Sequence, residues 1–106
     1  MEKTYNKLVR DKIPEIIRAS GKRCVVATVS DEDYLRLLDQ KLEEELAEYQ
    51  DSKAIEELAD LIEVIAAAAV ARGCSWEELM QIRDRKRSER GGFEDKILLL
   101  NVQDER

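Results

Sequence analysis

Through the middle of the chain apolar residues recur every three or four positions: Leu35, Leu38, Leu42, Leu46 and Tyr49. On a helix that spacing draws one apolar stripe, so residues 31–50 read as an amphipathic helix. Ser30 followed by Asp33 is a capping-box-like start, and acids at 31, 32 and 33 suit the positive end of a helix. Asp51-Ser52-Lys53 is a tight polar break. The pattern resumes from about Ala54 to Arg72. Leu58, Leu61, Ile62, Ile65, Ala68 and Ala69 make one wide face there, and Val64, Ala67 and Ala71 cover much of the other side. So short a break implies that the two helices pack antiparallel as a hairpin. The back half of the second helix is apolar nearly all round. That favours burial on several sides, which a small monomer can hardly provide, and hence an oligomer built around this helix.

The flanks carry shorter elements. Pro14 sits where a helix can start, PEIIRAS follows, and Gly21 can stop it. The β-branched run from Lys22 to Val29 reads as a strand. Ser75-Trp76-Glu77-Glu78 is a capping box opening a last helix. It carries Trp76, Leu79, Met80 and Ile82, turns strongly basic, and ends at Gly91-Gly92. Residues 93–102 read as a second strand. The expected architecture is mainly α: one domain over 1–106, a helix hairpin plus shorter helices, and a small two-stranded sheet from the 23–29 and 94–102 segments.

Composition narrows the function. With 43% hydrophobic and 40% charged residues, the chain is too aliphatic for disorder and charged enough for well-solvated helix faces. A net charge of −6 argues against broad nucleic-acid affinity. There is no histidine, which excludes a histidine-based zinc site and leaves general base work to a carboxylate or lysine. Cys24 and Cys74 show no metal-ligand spacing and read as small packers in a reducing compartment. The start of the chain has no apolar signal segment. Its longest apolar run, Val64 to Ala71, is far short of a membrane span. The expected location is the cytoplasm, with no membrane partner.

The placement of the acids is the informative feature. Glu44, Glu45 and Glu48 fall on the first long helix, and Glu57 and Asp60 on the second. Glu45 and Glu48 share a face, as do Glu57 and Asp60, and both pairs border apolar positions rather than the far solvated side. Like charges on packed helices repel and lose hydration, which a divalent cation offsets. Two E-x-x-E/D pairs facing across a hairpin offer up to four carboxylates. Oxygen ligands of that kind suit one or two Mg²⁺ ions, which usually keep substrate phosphate and water in their shell. The plainer alternative is a solvated acidic face paired with lysines. Two basic clusters could complete a triphosphate site: Lys7, Arg10 and Lys12 before Pro14, and Lys86, Arg87 and Arg90 before the glycine pair. Each cluster alone could equally be a solvated helix end. The aromatics Tyr5, Tyr34, Tyr49, Trp76 and Phe93 read as core rather than base-stacking groups, with Phe93 the one best placed for a ligand.

The segments KLEEELAEY (41–49) and EELAD (56–60) resemble the E-x-x-E … E-x-x-D signature of the all-α nucleotide pyrophosphohydrolases, the superfamily of MazG-like proteins. YNKLVRDKIPEII (5–17) and ERGGFEDKILL (89–99) are similar to its phosphoribosyl-ATP pyrophosphohydrolase-like house-cleaning subgroup. The likeness covers nearly the whole chain. It implies a mainly helical fold, assembly into dimers or tetramers, and Mg²⁺-dependent cleavage between the α- and β-phosphates, with Mn²⁺ a substitute. It further implies that Glu45, Glu48, Glu57 and Asp60 hold the metal and that Glu44 positions the water. The expected reaction is hydrolysis of a non-standard nucleoside triphosphate to monophosphate and pyrophosphate. The alternatives are hydrolysis of phosphoribosyl-ATP, or a non-catalytic helical module that binds nucleotide or a protein partner.

Overall fold

The computed structural model describes residues 1–104, and its regular structure is entirely helical: α1 Ile13–Ala19, α2 Asp31–Ser52, α3 Ile55–Ala71 and α4 Trp76–Arg90. The local chemistry explains the boundaries. Pro14 lies in the first turn of α1, where its missing N–H is not needed. At the head of α2 the Ser30 hydroxyl accepts from the Asp33 N–H at 3.2 Å. The helix ends at Lys53, which adopts a left-handed φ of 59° and donates its N–H to the Tyr49 carbonyl. α3 stops at Arg72, and Gly73 follows with φ 85°, a conformation that glycine adopts without steric cost.

Two compact units result, Met1–Trp76 and Glu77–Arg106. In the first, α2 and α3 pack against one another. Their pairing is antiparallel: Asp39 near the start of α2 meets Arg72 after the end of α3 at 3.3 Å, while Glu45 further along α2 approaches Glu57 and Asp60 near the start of α3. Few apolar side chains are deeply buried. Among the described residues only Leu38 (5% exposed) and Val64 (8%) are, one from each helix. The face of α3 turned to α2 therefore carries Glu57, Asp60 and Val64, while Ile62, Ile65 and Val70 of its more apolar side stay exposed. Leu46, read as part of the buried stripe of α2, is exposed as well, and Glu45 beside it is buried instead.

The second unit is α4 and the segment after it. The Gly91 N–H closes the helix on the Arg87 carbonyl at 2.8 Å, and the Lys96 N–H turns back to the Phe93 carbonyl at 3.1 Å. Arg87 reaches forward to Glu94 at 2.6 Å across Gly92, where a side chain would collide with both partners.

The expected two-stranded sheet is not formed: among the described residues neither 23–29 nor 94–102 is a strand. The physical reason is the lack of a face to bury. Val25 is fully exposed and Val26 and Val29 largely so, as are Ile97, Leu98, Leu99, Leu100 and Val102. β-Branched sequence favours a strand only where a pleated surface is half covered and a neighbouring backbone completes the ladder.

Candidate metal and phosphate site

The hairpin brings the predicted carboxylates together. Glu44, Glu45 and Glu48 place one oxygen each within 4.8 Å of one another, and so do Glu45, Glu57 and Asp60. Glu45 belongs to both groups, so the five acids form one continuous cluster. It lies seven residues after Leu38, two helical turns along the same face, and thus occupies a core position. Its residue surface is only 7% exposed, and its Oε2 atom is buried without a hydrogen-bond partner. An orphaned buried carboxylate oxygen costs about 1–3 kcal/mol or more, so it marks a place where something other than packing sets the residue type.

Three cations stand against these acids. Lys41, one turn before the glutamates on α2, lies 3.3 Å from Glu44 Oε1 and 3.3 Å from Glu45 Oε1. Lys7 reaches Glu44 Oε1 at 2.9 Å. Arg10 reaches Asp60 Oδ1 at 2.7 Å and Glu63 Oε1 at 3.9 Å. The electrostatics divide the two neighbouring glutamates. The Lys7 hydrogen bond, opposed by partial burial and reinforced by Lys41, holds the Glu44 carboxyl below the usual value and keeps it ionised. Burial pushes Glu45 up, against the pull of Lys41 and with help from the carboxylate of Glu48. Lys7 is raised by the same hydrogen bond to Glu44.

Of the predicted phosphate-contacting residues, Lys7 and Arg10 meet the carboxylates directly. Lys12 caps α1 through its backbone, with no side-chain capping bond. Lys86, Arg87 and Arg90 all lie on α4 in the second unit, where Arg87 is engaged by Glu94 and Arg90 borders a shallow recess lined by residues 90–97. Phe93, expected to be core if not a ligand contact, is 97% exposed on that recess. Tyr34 and Tyr49 are half-buried, and Tyr5 is exposed. Cys24 and Cys74 are free thiols, half-buried, and each donates to a backbone carbonyl.

Sequence reasoning missed Lys41. Its signal was present: it stands three and four residues before Glu44 and Glu45, the spacing at which helical side chains meet.

No family model matches the chain, and no solved structure matches it. Over 41 residues, 39% of this chain, it is 61% identical to an uncharacterized protein of Mycolicibacterium smegmatis. The match covers 42% of that relative's length. Among the described residues, no helix is long and apolar enough to cross a membrane.

Proposed function

We propose that this chain is a Mg²⁺-dependent nucleotide pyrophosphohydrolase that cleaves a nucleoside triphosphate, a non-standard one by preference, to the monophosphate and pyrophosphate. The observation that carries the proposal is Glu45: a carboxylate in a core position, buried, with an orphaned oxygen, at the junction of two carboxylate groups drawn from both helices. The donor set fits the ion. All the ligands are hard carboxylate oxygens, and neither cysteine nor histidine is present among them, as Mg²⁺ or Mn²⁺ prefers. Glu45, Glu48, Glu57 and Asp60 would hold it. When bound, it would neutralise phosphate charge and polarise the phosphorus being attacked.

The chain's own residues account for the remaining requirements. Glu44, with the Lys41 ammonium 3.3 Å from its Oε1, accepts a hydrogen bond from the attacking water and so orients it. Water oxygen bonds to the α-phosphorus, the bond to the α–β bridging oxygen breaks, pyrophosphate leaves, and the water proton passes to solvent. Lys7 and Arg10, at the rim of the carboxylates, are the nearest cations able to receive phosphate oxygens. Pyrophosphate release from a panel of nucleoside triphosphates, with and without Mg²⁺, tests this. Metal-dependent release with matching monophosphate is expected. A folded protein that releases pyrophosphate from none of them would sink the reaction as stated and leave phosphoribosyl-ATP or a purely binding role.

Self-association belongs to the same proposal. Two deeply buried apolar side chains among the described residues are few for a stable helical hairpin, and Ile62, Ile65 and Val70 leave an apolar strip of α3 uncovered. A second copy seated on that strip gives a dimer or tetramer. Sedimentation velocity should show a species larger than a 12.2-kDa monomer, and an Ile62→Glu/Ile65→Glu variant should shift it to the monomer.

A further inference from the structure

The two cations that come from outside the hairpin share an unusual position. Lys7 and Arg10 lie in the segment before α1, residues 5–12, which has no helix or strand. That segment is tied to the hairpin by the ion pairs to Glu44 on α2 and Asp60 on α3, and its Leu8 is half-buried. Asn6, immediately before Lys7, has a left-handed φ of 47°, which turns the chain at that point. Lys41, by contrast, is on α2 itself, fixed by helix geometry and only 18% exposed at its side chain. Lys7 and Arg10 are 40% and 55% exposed. Pairs this open to solvent are worth little and break readily.

The acids they hold belong to the cluster a divalent ion would enter: Asp60 is one of its proposed ligands, and Glu44 adjoins Glu45 and Glu48. Asp60 Oδ1 faces the Arg10 guanidinium at 2.7 Å, and Asp60 belongs to the Glu45–Glu57–Asp60 group. Glu44 Oε1 faces the Lys7 ammonium at 2.9 Å, and Glu44 belongs to the Glu44–Glu45–Glu48 group. An ammonium or guanidinium at such a distance and a divalent ion cannot share one lone pair at full strength. One charge must give way.

We propose that Lys7 and Arg10 are exchangeable counter-ions: they strap residues 5–12 across the carboxylates, a divalent cation displaces them, and the freed pair then binds the polyphosphate chain of the substrate. The inference rests on the divalent-ion site proposed above. It adds an order of events, metal before phosphate, and makes the N-terminal segment the element that reads it. Lys41 stays with Glu44 and Glu45 throughout, because its helix holds it there. The cluster gains positive charge as the ion enters, so the two released cations lose their attraction to it just as an anion gains one.

Mn²⁺ titration by isothermal calorimetry, with hydrogen exchange of the 5–12 amides, tests the proposal on wild type, Lys7→Gln, Lys7→Gln/Arg10→Gln and Glu45→Gln. Removing two competing surface pairs should tighten Mn²⁺ binding roughly fivefold in the double variant. Exchange over 5–12 in the wild type should quicken when Mn²⁺ is added. Inorganic tripolyphosphate should bind the wild type more tightly with Mn²⁺ than without it, and the double variant should lose that gain. Lys7→Gln, which removes the ion pair to Glu44 and leaves that of Arg10 with Asp60 in place, should shift Mn²⁺ affinity in the same direction by a smaller factor. Wild type that binds Mn²⁺ while the double variant binds it equally or more weakly, with 5–12 exchange unchanged, overturns the exchange and leaves the metal site standing. Wild type that binds no Mn²⁺, and matches Glu45→Gln in that, overturns both.

Discussion

The two halves of the α2–α3 contact are built from opposite materials. Toward the closed end of the hairpin the helices bring acids together: Glu45 is buried, Glu44, Glu57 and Asp60 are half-buried beside it, and Glu48 lies at the exposed edge, with Lys41 among them. Toward the open end the buried residues are apolar, Leu38 and Val64, with half-buried alanines at 66–69 of α3. The apolar half supplies the hydrophobic burial and close helix approach. The polar half opposes it: like charges face one another and one buried oxygen is unsatisfied. A helix pair selected for stability alone would continue the apolar layer to the turn. The contrast therefore separates what the fold needs from what the proposed chemistry would need, and substitutions in the two halves should have opposite signatures.

The largest effect is expected in the polar half, on activity. Glu48→Gln or Asp60→Asn should lower metal-dependent pyrophosphate release by roughly 100-fold or more, since loss of even an outer partner of a metal site typically brings 10- to 100-fold. Helix content by circular dichroism should be unchanged. Parallel loss of helix and activity would mean that these acids are structural and would erase the contrast.

The apolar half should respond in stability. Leu38→Ala removes one of the two apolar side chains deeply buried among the described residues, and about 2–3 kcal/mol of unfolding free energy should go with it. Urea denaturation measures this. A loss below about 0.5 kcal/mol would show that the hairpin is held by contacts elsewhere, for instance on the exposed strip of α3.

A smaller effect of the opposite sign is expected at the junction. Glu45→Gln keeps the shape and removes the buried charge, so without added metal it should stabilise the protein by about 1 kcal/mol. The pH dependence carries the sign. Burial raises the folded-state value of Glu45 above its ordinary 4.5. Its contribution to stability is therefore complete below that ordinary value and is lost as pH rises through the raised one. Glu44 runs the other way: lowered by Lys7, it contributes above its ordinary value and loses that contribution as pH falls through the lowered one. The advantage of Glu45→Gln over wild type should grow from acid to neutral pH, and Mg²⁺ should stabilise only the wild type. An advantage that shrinks toward neutral pH would mean that Lys41 outweighs burial.

Much of this was legible in the sequence, for reasons that can be named. The hairpin followed from period and break: Leu35, Leu38 and Leu42 at helical spacing, then three polar residues. The cap at Ser30 and the stop at Gly73 followed from single residues with one dominant use. Glu45, Glu48, Glu57 and Asp60 could be placed at the helix interface because helical geometry fixes which positions share a face. What failed depended on partners that no local pattern encodes. The strands at 23–29 and 94–102 have the right residue types, but β structure is made between segments, and here no surface covers them. Leu46 failed for a related reason. It fits the apolar stripe of α2, but Glu45 takes the inward position beside it, a choice made by the cluster and not by hydrophobicity. The strap was invisible because Lys7 and Arg10 reach acids 37 and 50 residues away.

The smallest expected effect is at the far end of the apolar half, where Arg72 meets Asp39 at 3.3 Å with both side chains more than half exposed. Arg72→Gln removes that pair and leaves the carboxylate cluster untouched. An exposed pair of this kind contributes about 0–0.5 kcal/mol at moderate salt, because two long side chains are fixed for an attraction that water and ions screen. Arg72 also follows the last turn of α3, where a cation favours the negative helix end by a few tenths of a kcal/mol. The two contributions act in the same direction and both fade with salt. The stability difference between Arg72→Gln and wild type should thus be at most about 1 kcal/mol in low salt and vanish near 1 M NaCl. The proposed metal-dependent pyrophosphate release should not change, since Arg72 follows the end of α3 whereas Glu45 meets Glu57 and Asp60 near its start. A large, salt-independent loss would instead tie Arg72 to packing and make the open end of the hairpin as dependent on charge as the closed end.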